Sequence, residues 1–225
     1  MLLNDRTLLR LHLEAVWNIQ LPLITYTHVN VLASGYPPPW LLYVAQMADE
    51  YIYVWRSNVD ASSRQALLKY MAQIYSGQPD KRGIEREVAL KFVDQPAMTQ
   101  AQAQQLAQPI TDQSVVEEFQ PGASHYFFER SRAPLFGTIR DGRLLSIAHS
   151  SRSTSEACEL GIETHPEARR RGYALAATIL WTQAVLQENL VPIYSALADN
   201  AASLALADAA GYRAFAHGTS ITNLP

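Results

Sequence analysis

The sequence predicts a mixed α/β fold, in which a mostly antiparallel sheet is flanked by helices and preceded by an N-terminal α/β extension. Two observations lead to this prediction. Asp141-Gly142 separates two apolar runs, and an Asp-Gly pair favours the tight turn of a β-hairpin. The stretch 173–188 is apolar around much of a helical circumference, which indicates a helix packed against a sheet. With the neighbouring segments they give the order β-β-β-α-β-α-β, typical of a sheet of mixed direction.

The composition sets the size and the class of protein. The chain has 225 residues, of which 48% are apolar and 17% charged, so it can bury an ordinary core as one large domain or as a domain with an extension. A formal net charge of −3 gives no indication of nucleic acid or an anionic membrane as a partner. Within this mildly acidic chain, Arg169–Arg171 form a local positive loop that suits a small anion.

The single cysteine, Cys158, excludes a disulfide within the chain and a cysteine-based metal cluster. Asp5 and Arg6 place charges where the core of a signal peptide would lie. No apolar run approaches the roughly 20 residues that a membrane span needs. We therefore expect a cytoplasmic protein.

The first elements come from apolar spacing. Residues 2–17 have the near-helical spacing of a short amphipathic helix, and its His12 is expected on the helix surface or as a satisfied core partner. Residues 23–29 are rich in β-branched and aromatic side chains and are ambiguous between strand and loop. Pro37–Pro39 forbid a helix and predict a rigid turn that leads into buried structure.

A strand, a helix and a linker follow. Tyr51–Trp55 is predicted as a strand, and Asp60 caps a helix that ends at Gly77. Residues 78–83 are the best candidate for a linker. We therefore place a domain boundary near Gly83, with an N-terminal subdomain at 1–83 and a second domain at 84–225.

The second domain is predicted to contain alternating helices and strands. Val88–Val93 reads as a strand, Thr99 caps a helix through Leu106, and a further helix begins at Thr111 or Asp112 and ends at Phe119. His125–Phe128 is predicted as a short strand. The remaining elements are strands at 135–139, 144–149 and 158–164, a helix at 173–188, a strand at 192–197, a helix at 200–210 and a final strand at 212–216.

The basic loop at 169–172, between the strand at 158–164 and the helix at 173–188, is the candidate ligand-binding segment. Gly172 can take backbone angles that other residues avoid, and Ala174 leaves room for a close approach to the backbone. The arginines can form charge-assisted hydrogen bonds to phosphate oxygens, and the first turn of the helix exposes N–H groups. The loop therefore suits a pyrophosphate.

Several motifs in the right order extend this interpretation. Gly161–Glu167 reads Gly-Ile-Glu-Thr-His-Pro-Glu, the loop reads Arg-Arg-Arg-Gly-Tyr-Ala, and Asn200-x-x-Ser203 and Gly211-Tyr212 follow after the next strand. Together they resemble the acetyl-coenzyme-A signature of the GNAT N-acetyltransferase superfamily, most of all the bacterial subfamily that includes antibiotic self-resistance enzymes. The motifs cover about a third of the chain, and the order of elements extends the resemblance, more loosely, back to about residue 88. Residues 1–83 lie outside it.

The resemblance implies an acetyl-CoA-dependent N-acetyltransferase that uses no metal and transfers an acetyl group to a small-molecule amine by direct attack. The strand around Ile162 and Thr164 would separate from its neighbour, so that backbone N–H groups hold the pantetheine arm and polarise the thioester carbonyl. Asn200 and Ser203 would bind the coenzyme arm. The N-terminal extension and the loops at 120–132 would shape the acceptor pocket. The pyrophosphate would be held by Arg169, Arg170, Arg171, Gly172, Tyr173 and Ala174.

The catalytic groups are less defined. Glu159 and Glu163 share one face of a strand because they lie four residues apart, and either is a candidate general base. His149, at the end of the preceding strand, is an alternative base. The family's usual tyrosine acid is replaced by Ala207, so the thiolate leaves unaided, another group protonates it, or activity is weak. This substitution motivates a second hypothesis, a non-catalytic coenzyme-A-binding or regulatory module, and a homodimer also stays open.

Overall fold

The computed structural model describes residues 3–34, 36–77 and 83–224. The chain divides into two compact units. The N-terminal unit consists of Met1–Ala89, Ala196–Asp199 and Ala214–Pro225, and the C-terminal unit of Leu90–Ser195 and Asn200–Arg213. The linker predicted at 78–83 lies, apart from Gly83, outside the described residues. The domain boundary placed there stays a prediction.

The described residues form a mixed α/β fold. The helices are α1 (Asp5–Trp17), α2 (Ala61–Tyr75), α3 (Gln100–Leu106), α4 (Gln113–Phe119), α5 (Ser124–Phe127), α6 (Tyr173–Gln187) and α7 (Ala201–Ala209). The strands are β1 (His28–Asn30), β2 (Leu42–Gln46), β3 (Tyr51–Trp55), β4 (Ile84–Phe92), β5 (Gln108–Pro109), β6 (Phe136–Arg140), β7 (Arg143–Ser153), β8 (Ala157–Thr164), β9 (Val191–Leu197) and β10 (Tyr212–Ile221). Short 3-10 helices lie at Arg130–Arg132 and Pro166–Ala168.

In the N-terminal unit, β3 pairs in parallel with β1 and antiparallel with β2. The C-terminal part of β10 pairs antiparallel with the other edge of β2, with Ile221 opposite Leu42. Helix α2 begins at the side chain of Asp60, which accepts the N–H of Ser63, and packs its apolar face on these strands. The buried side chains of that helix are Leu67, Tyr70, Met71 and Ile74. The predicted cap is therefore confirmed.

His12 on α1 is buried in the core and has a hydrogen-bonding partner there. This confirms one of the two expectations for this residue. Its Nε2 lies 2.9 Å from Oε1 of Glu87, which also accepts a 2.6 Å hydrogen bond from the hydroxyl of Tyr43. Gly218 leaves the space for this group, because a Cβ there would meet the Tyr43 hydroxyl. Burial, and then the charge of Glu87, raise the pKa of Tyr43 well above its ordinary value.

In the C-terminal unit, the strands β9, β8, β7, β6 and β5 are neighbours in that order. The β6–β7 hairpin turns at Asp141 and Gly142, with φ values of 51° and 77°. These positive angles are those of the type I′ turn that the Asp-Gly pair predicts. Strand β8 pairs antiparallel with β7 and in parallel with β9. The mostly antiparallel sheet of mixed direction is thus confirmed.

Helices cover this part of the sheet on both faces. Helix α6 packs on β6, β7 and β8, and the indole N–H of Trp181 donates to Oγ of Ser150. On the other face, Ile147 of β7 belongs to an apolar cluster with Val116 of α4 and Phe127 of α5. Along β8, odd-numbered residues therefore face α4 and α5, and even-numbered residues face α6.

The structure corrects the prediction for residues 125–128 and adds to the predicted strands. Residues 125–128 are not a strand, since α5 occupies Ser124–Phe127. The carboxylate of Glu117 accepts the main-chain N–H of Gly122 at 2.6 Å and turns the chain into this helix. The short strands β2 and β5 are additional to the prediction, and β10 continues past Ala216 to Ile221.

We predict that the glycines after α2 and α7 differ in their tolerance of alanine. Gly77 and Gly211 both have φ of +87°, but nothing lies within 4 Å of a Cβ at Gly77, whereas one at Gly211 would lie 3.0 Å from the nitrogens of Gln95 and Pro96. Gly77→Ala should cost about 1–2 kcal/mol through backbone strain alone. Gly211→Ala should cost about 1–3 kcal/mol more through overpacking. Urea unfolding measures both, and equal losses would contradict the packing of residues 95–96 on Gly211.

Candidate active site

Strand β8 loses one of its two partners part-way along its length. Its parallel pairing with β9 runs from Ala157 opposite Val191 to Glu159 opposite Ile193 and ends there. On its other edge, β8 stays paired with β7 as far as Thr164 opposite Ser146. A gap therefore opens between β8 and β9 beyond Glu159, as the resemblance implies.

The main-chain groups that face this gap follow from the alternation of an antiparallel ladder. The N–H of His165 donates to the carbonyl of Leu145 on β7, so residues 163 and 161 also direct their N–H groups toward β7. Ile162 and Thr164 then direct theirs away from β7, toward the gap. No strand in the described ranges pairs with β8 there. Two predicted coenzyme-binding residues thus present unpaired donors, although their role in binding stays a prediction.

The loop after β8 ends at an uncapped helix. The short 3-10 helix at Pro166–Ala168 is followed by positive φ angles at Arg170 (60°) and Gly172 (80°). Gly172 is the N-cap of α6, and no side chain caps the first turn of that helix. The N–H groups of Tyr173 and Ala174 are therefore available to an anion.

The three consecutive arginines of the loop, Arg169–Arg171, are exposed. None of them forms an ion pair with a carboxylate in the part of the chain that the structure describes. A Cβ on Gly172 would lie 3.6 Å from Met98 and 3.7 Å from Leu106, which is ordinary contact, so the positive φ is the reason for glycine. The gap beside β8 thus offers main-chain donors, the loop offers positive charge, and the start of α6 offers further main-chain donors.

Two arginines that the sequence interpretation missed lie beside this loop. A cleft of about 430 Å³ is lined by Arg140, Asp141, Arg143, Leu145, Glu167, Ala168, Arg171 and Tyr173. Arg140 and Arg143 flank the Asp-Gly turn of the hairpin, which the sequence predicts. What the sequence could not show is that the turn lies next to the start of α6.

Glu163, one of the two predicted bases, is half-buried on the face of the sheet that carries α4 and α5. Its side chain has no hydrogen-bond partner among the described residues. Burial raises the pKa of Glu163 above its ordinary value. A carboxylate whose pKa is raised toward neutral pH, with its oxygens unoccupied, has the properties of a general base.

Glu159, the other predicted base, is held by the protein. Its Oε1 accepts a 2.6 Å hydrogen bond from Ser195, and its Oε2 accepts from Ser151 at 3.0 Å and from Arg152 at 2.7 Å. The residue is only 4% exposed. Since both carboxylate oxygens are occupied, the geometry favours Glu163 over Glu159 as a base.

His149 lies in the middle of β7, opposite Gly161, and not at the end of the strand as the sequence interpretation had it. Both ring nitrogens are buried without a partner in the described residues. A Cβ on Gly161 would come within 2.3 Å of this ring, so the glycine makes room for it. Burial, with a smaller effect of Arg132, lowers the pKa of His149 to about 4. The ring is therefore neutral at pH 7 and closed off from solvent, which does not favour a role as base.

Asn200 and Ser203, the predicted contacts to the coenzyme arm, form hydrogen bonds within the protein. The Asn200 side chain accepts the N–H of Ser203 at 3.1 Å as the N-cap of α7. The Ser203 hydroxyl lies 3.0 Å from the hydroxyl of Tyr194. Ala207, one turn further along α7, is fully buried. A phenol from β9 thus lies beside the face of α7 that bears Ala207, and the coenzyme contacts of Asn200 and Ser203 stay a prediction.

Two kinds of feature are absent from the described residues. No helix there is both long and apolar enough to cross a membrane. No group of three or more histidine, cysteine, aspartate or glutamate side chains there is arranged to hold a metal ion.

Comparison with known proteins identifies the family. The family model for GNAT acetyltransferases matches residues 45–217, which is well over half of the chain. The chain belongs to the GNAT acetyltransferase family. The match begins before the predicted boundary at Gly83. No curated protein sequence matches the chain.

This GNAT protein is similar to several solved structures. An acetyltransferase of the GNAT family from Colwellia psychrerythraea is 14% identical, with a TM-score of 0.53 and 75% of each chain covered. A GNAT-family protein from Novosphingobium aromaticivorans is 21% identical, with a TM-score of 0.47 over 64% of this chain and 69% of the other. A GCN5-related N-acetyltransferase-like protein from Streptococcus suis is 17% identical, with a TM-score of 0.49 over 86% and 79%. At these identities, the first of the three shows the fold alone.

We predict that His149 lowers the stability of the protein in acid. Above pH 6.5 the ring is neutral in both states, but between pH 6.5 and 4 the unfolded chain binds a proton that the folded chain does not. Stability therefore falls through this window, by about 3 kcal/mol at full effect. His149→Phe should remove this loss, as measured by urea unfolding at pH 7, 5.5 and 4.

The exposed His125 provides the control. His125→Gln should follow the wild-type pH dependence. A His149→Phe variant that loses as much stability in acid as the wild type would show that His149 is not buried in its neutral form.

Proposed function

We propose that this GNAT protein is an acetyl-CoA-dependent N-acetyltransferase that acetylates an amine of a small molecule by direct attack in a ternary complex. One observation carries the proposal: the β8–β9 gap, with unpaired N–H groups at Ile162 and Thr164, leads through a basic loop to the uncapped start of α6. An extended ligand that ends in a thioester at one end and a pyrophosphate at the other matches these two sets of donors.

The coenzyme would be held along its length. The gap-facing N–H groups of β8 would bind the pantetheine arm and polarise the thioester carbonyl, while Arg169–Arg171 and the N–H groups at the start of α6 would bind the pyrophosphate. The coenzyme supplies an activated acetyl group. The acceptor amine supplies the nucleophile, and the protein supplies the groups that polarise the carbonyl and move the proton.

Glu163 is the proposed general base. Most amines are protonated in water, so the acceptor must lose a proton before its nitrogen attacks the carbonyl carbon. Glu163 would take this proton and pass it to solvent. The C–N bond forms, the C–S bond breaks, and the second proton lost by nitrogen ends on the released thiol, so that charge and atoms balance. Because Glu163 faces α4 and α5, the acceptor would enter from that face.

We predict that the pyrophosphate loop decides coenzyme affinity. Calorimetric titration should detect acetyl-CoA binding to the wild type well below millimolar ligand. Arg171→Gln should weaken binding about tenfold, since a charge-assisted hydrogen bond is lost. Gly172→Ala should also weaken it, because φ of +80° strains an alanine in the loop.

Gly77→Ala is the matched control, since it introduces the same kind of strain after α2. It should leave coenzyme affinity unchanged. No binding to the wild type at millimolar ligand would refute the proposal, and unchanged affinity in both loop variants would refute the assignment of the pyrophosphate.

We predict that Glu163 and Glu159 respond differently to replacement by glutamine. With a panel of primary amines and acetyl-CoA, thiol release by the wild type should fall as the pH drops through the raised pKa of Glu163. Glu163→Gln should lower kcat by roughly a hundredfold or more and remove this acidic limb. Glu159→Gln should keep the limb and instead lower stability, because it removes a buried carboxylate charge that is hydrogen-bonded by Ser195 and Ser151 and paired with the partly exposed Arg152.

An acidic limb that persists in Glu163→Gln would exclude Glu163 as the base. Coenzyme binding without thiol release for any amine would favour the alternative, a non-catalytic coenzyme-A-binding or regulatory module, which the alanine at position 207 motivates.

A further inference from the structure

The cleft of about 430 Å³ beside the start of α6 is lined by residues outside the pyrophosphate loop as well as by the loop. Its volume falls in the range of roughly 300–1,000 Å³ that is usual for small-ligand pockets. Arg171 and Tyr173 belong to the loop, and the remaining lining comes from the β6–β7 turn and the 3-10 helix after β8. The cleft therefore extends away from the loop toward the hairpin.

Arg140 places a fixed positive charge on the wall of this cleft. Its guanidinium donates to the carbonyl oxygens of Ile139 at 2.9 Å and Leu106 at 3.4 Å and lies 5.6 Å from the ring centre of Tyr173. Carbonyl oxygens and an aromatic ring orient the guanidinium but do not neutralise it. In the described parts of the chain, no carboxylate forms an ion pair with Arg140.

Arg143 lies across the turn and is free to exchange partners. Its Nη1 is 3.2 Å from Oε1 of Glu167, with side chains that are 61% and 56% exposed. An ion pair so exposed to water contributes little, and a phosphate can replace it. Glu167 also has His165 at 3.7 Å. Against Asp141 and Glu167, the three arginines leave the lining positively charged.

We propose that Arg140 and Arg143 form a second phosphate subsite, which binds the 3′-phosphate on the ribose of coenzyme A. The inference rests on the proposed function, because it assumes that the pyrophosphate lies on the loop at 169–174. Coenzyme A carries a diphosphate and, on the ribose that follows it, a separate phosphate monoester with up to two negative charges. The cleft adjoins the loop at Arg171 and Tyr173, so the ribose would enter it and its 3′-phosphate would meet the arginines of the hairpin turn.

A thermodynamic cycle of two ligands and four proteins tests this subsite. Calorimetric titration compares coenzyme A with 3′-dephospho-coenzyme A on the wild type, Arg143→Gln, Arg171→Gln and Lys69→Gln. The wild type should bind coenzyme A about tenfold more tightly than the dephospho form. Arg143→Gln should lose that preference by binding coenzyme A more weakly while its affinity for the dephospho form is unchanged.

The other two variants are controls for charge and for position. Arg171→Gln should weaken both ligands by a similar factor, since it acts on the diphosphate. Lys69→Gln removes an exposed charge from α2 and should change neither affinity. Arg140 is left intact because its hydrogen bonds hold the end of α3.

The outcomes separate the subsite from the function. A loss in Arg143→Gln that is equal for both ligands would assign Arg143 to the diphosphate and overturn the proposal, as would the absence of any loss. If the wild type binds neither ligand, the proposed function itself fails. Equal affinity of the wild type for the two ligands would also refute the subsite while leaving the function standing.

Discussion

The end of the β8–β9 ladder at Glu159 and Ile193 is the constraint on which the candidate site depends. Main-chain N–H groups left without partners in a sheet are costly unless water or a ligand binds them. The gap persists because β7 stays paired with the other edge of β8. At the last residue of β8, the hydroxyl of Thr164 lies 2.9 Å from the hydroxyl of Ser146 on β7. One-sided pairing thus keeps β8 extended while its other edge stays open.

The sheet separates the charges that the proposed reaction needs. Side chains of β8 alternate between the faces, so Glu163 faces α4 and α5, whereas Ile162 and Thr164 face α6. The positive end of α6 is therefore on the opposite side of the sheet from the proposed base. A buried carboxylate kept apart from positive charge retains a raised pKa, because an adjacent positive charge would lower it.

Local signals in the sequence were sufficient to predict most helices and strands. The prediction failed where contacts between residues distant in the sequence determine the structure. Asp60 and Thr99 cap helices through their own neighbouring N–H groups, and Asp141-Gly142 sets its own turn. The aromatic run 125–128 has no such signal, and it forms a helix that buries Phe127 against Ile147 of β7. Strand β10 runs to Ile221 because it pairs with β2, which lies far away in the sequence.

Sequence spacing is likewise insufficient to identify the general base. A period of two places Glu159 and Glu163 on one face and cannot distinguish them. The distinction comes from a register shift of β7 between Ser150 and Arg152, which brings Ser151 and Arg152 onto Glu159. With Ser195 they satisfy that carboxylate, whereas the burial of Glu163 has no such compensation and so raises its pKa. Two identical side chains on one strand thus acquire different chemistry from residues that sequence spacing does not connect to them.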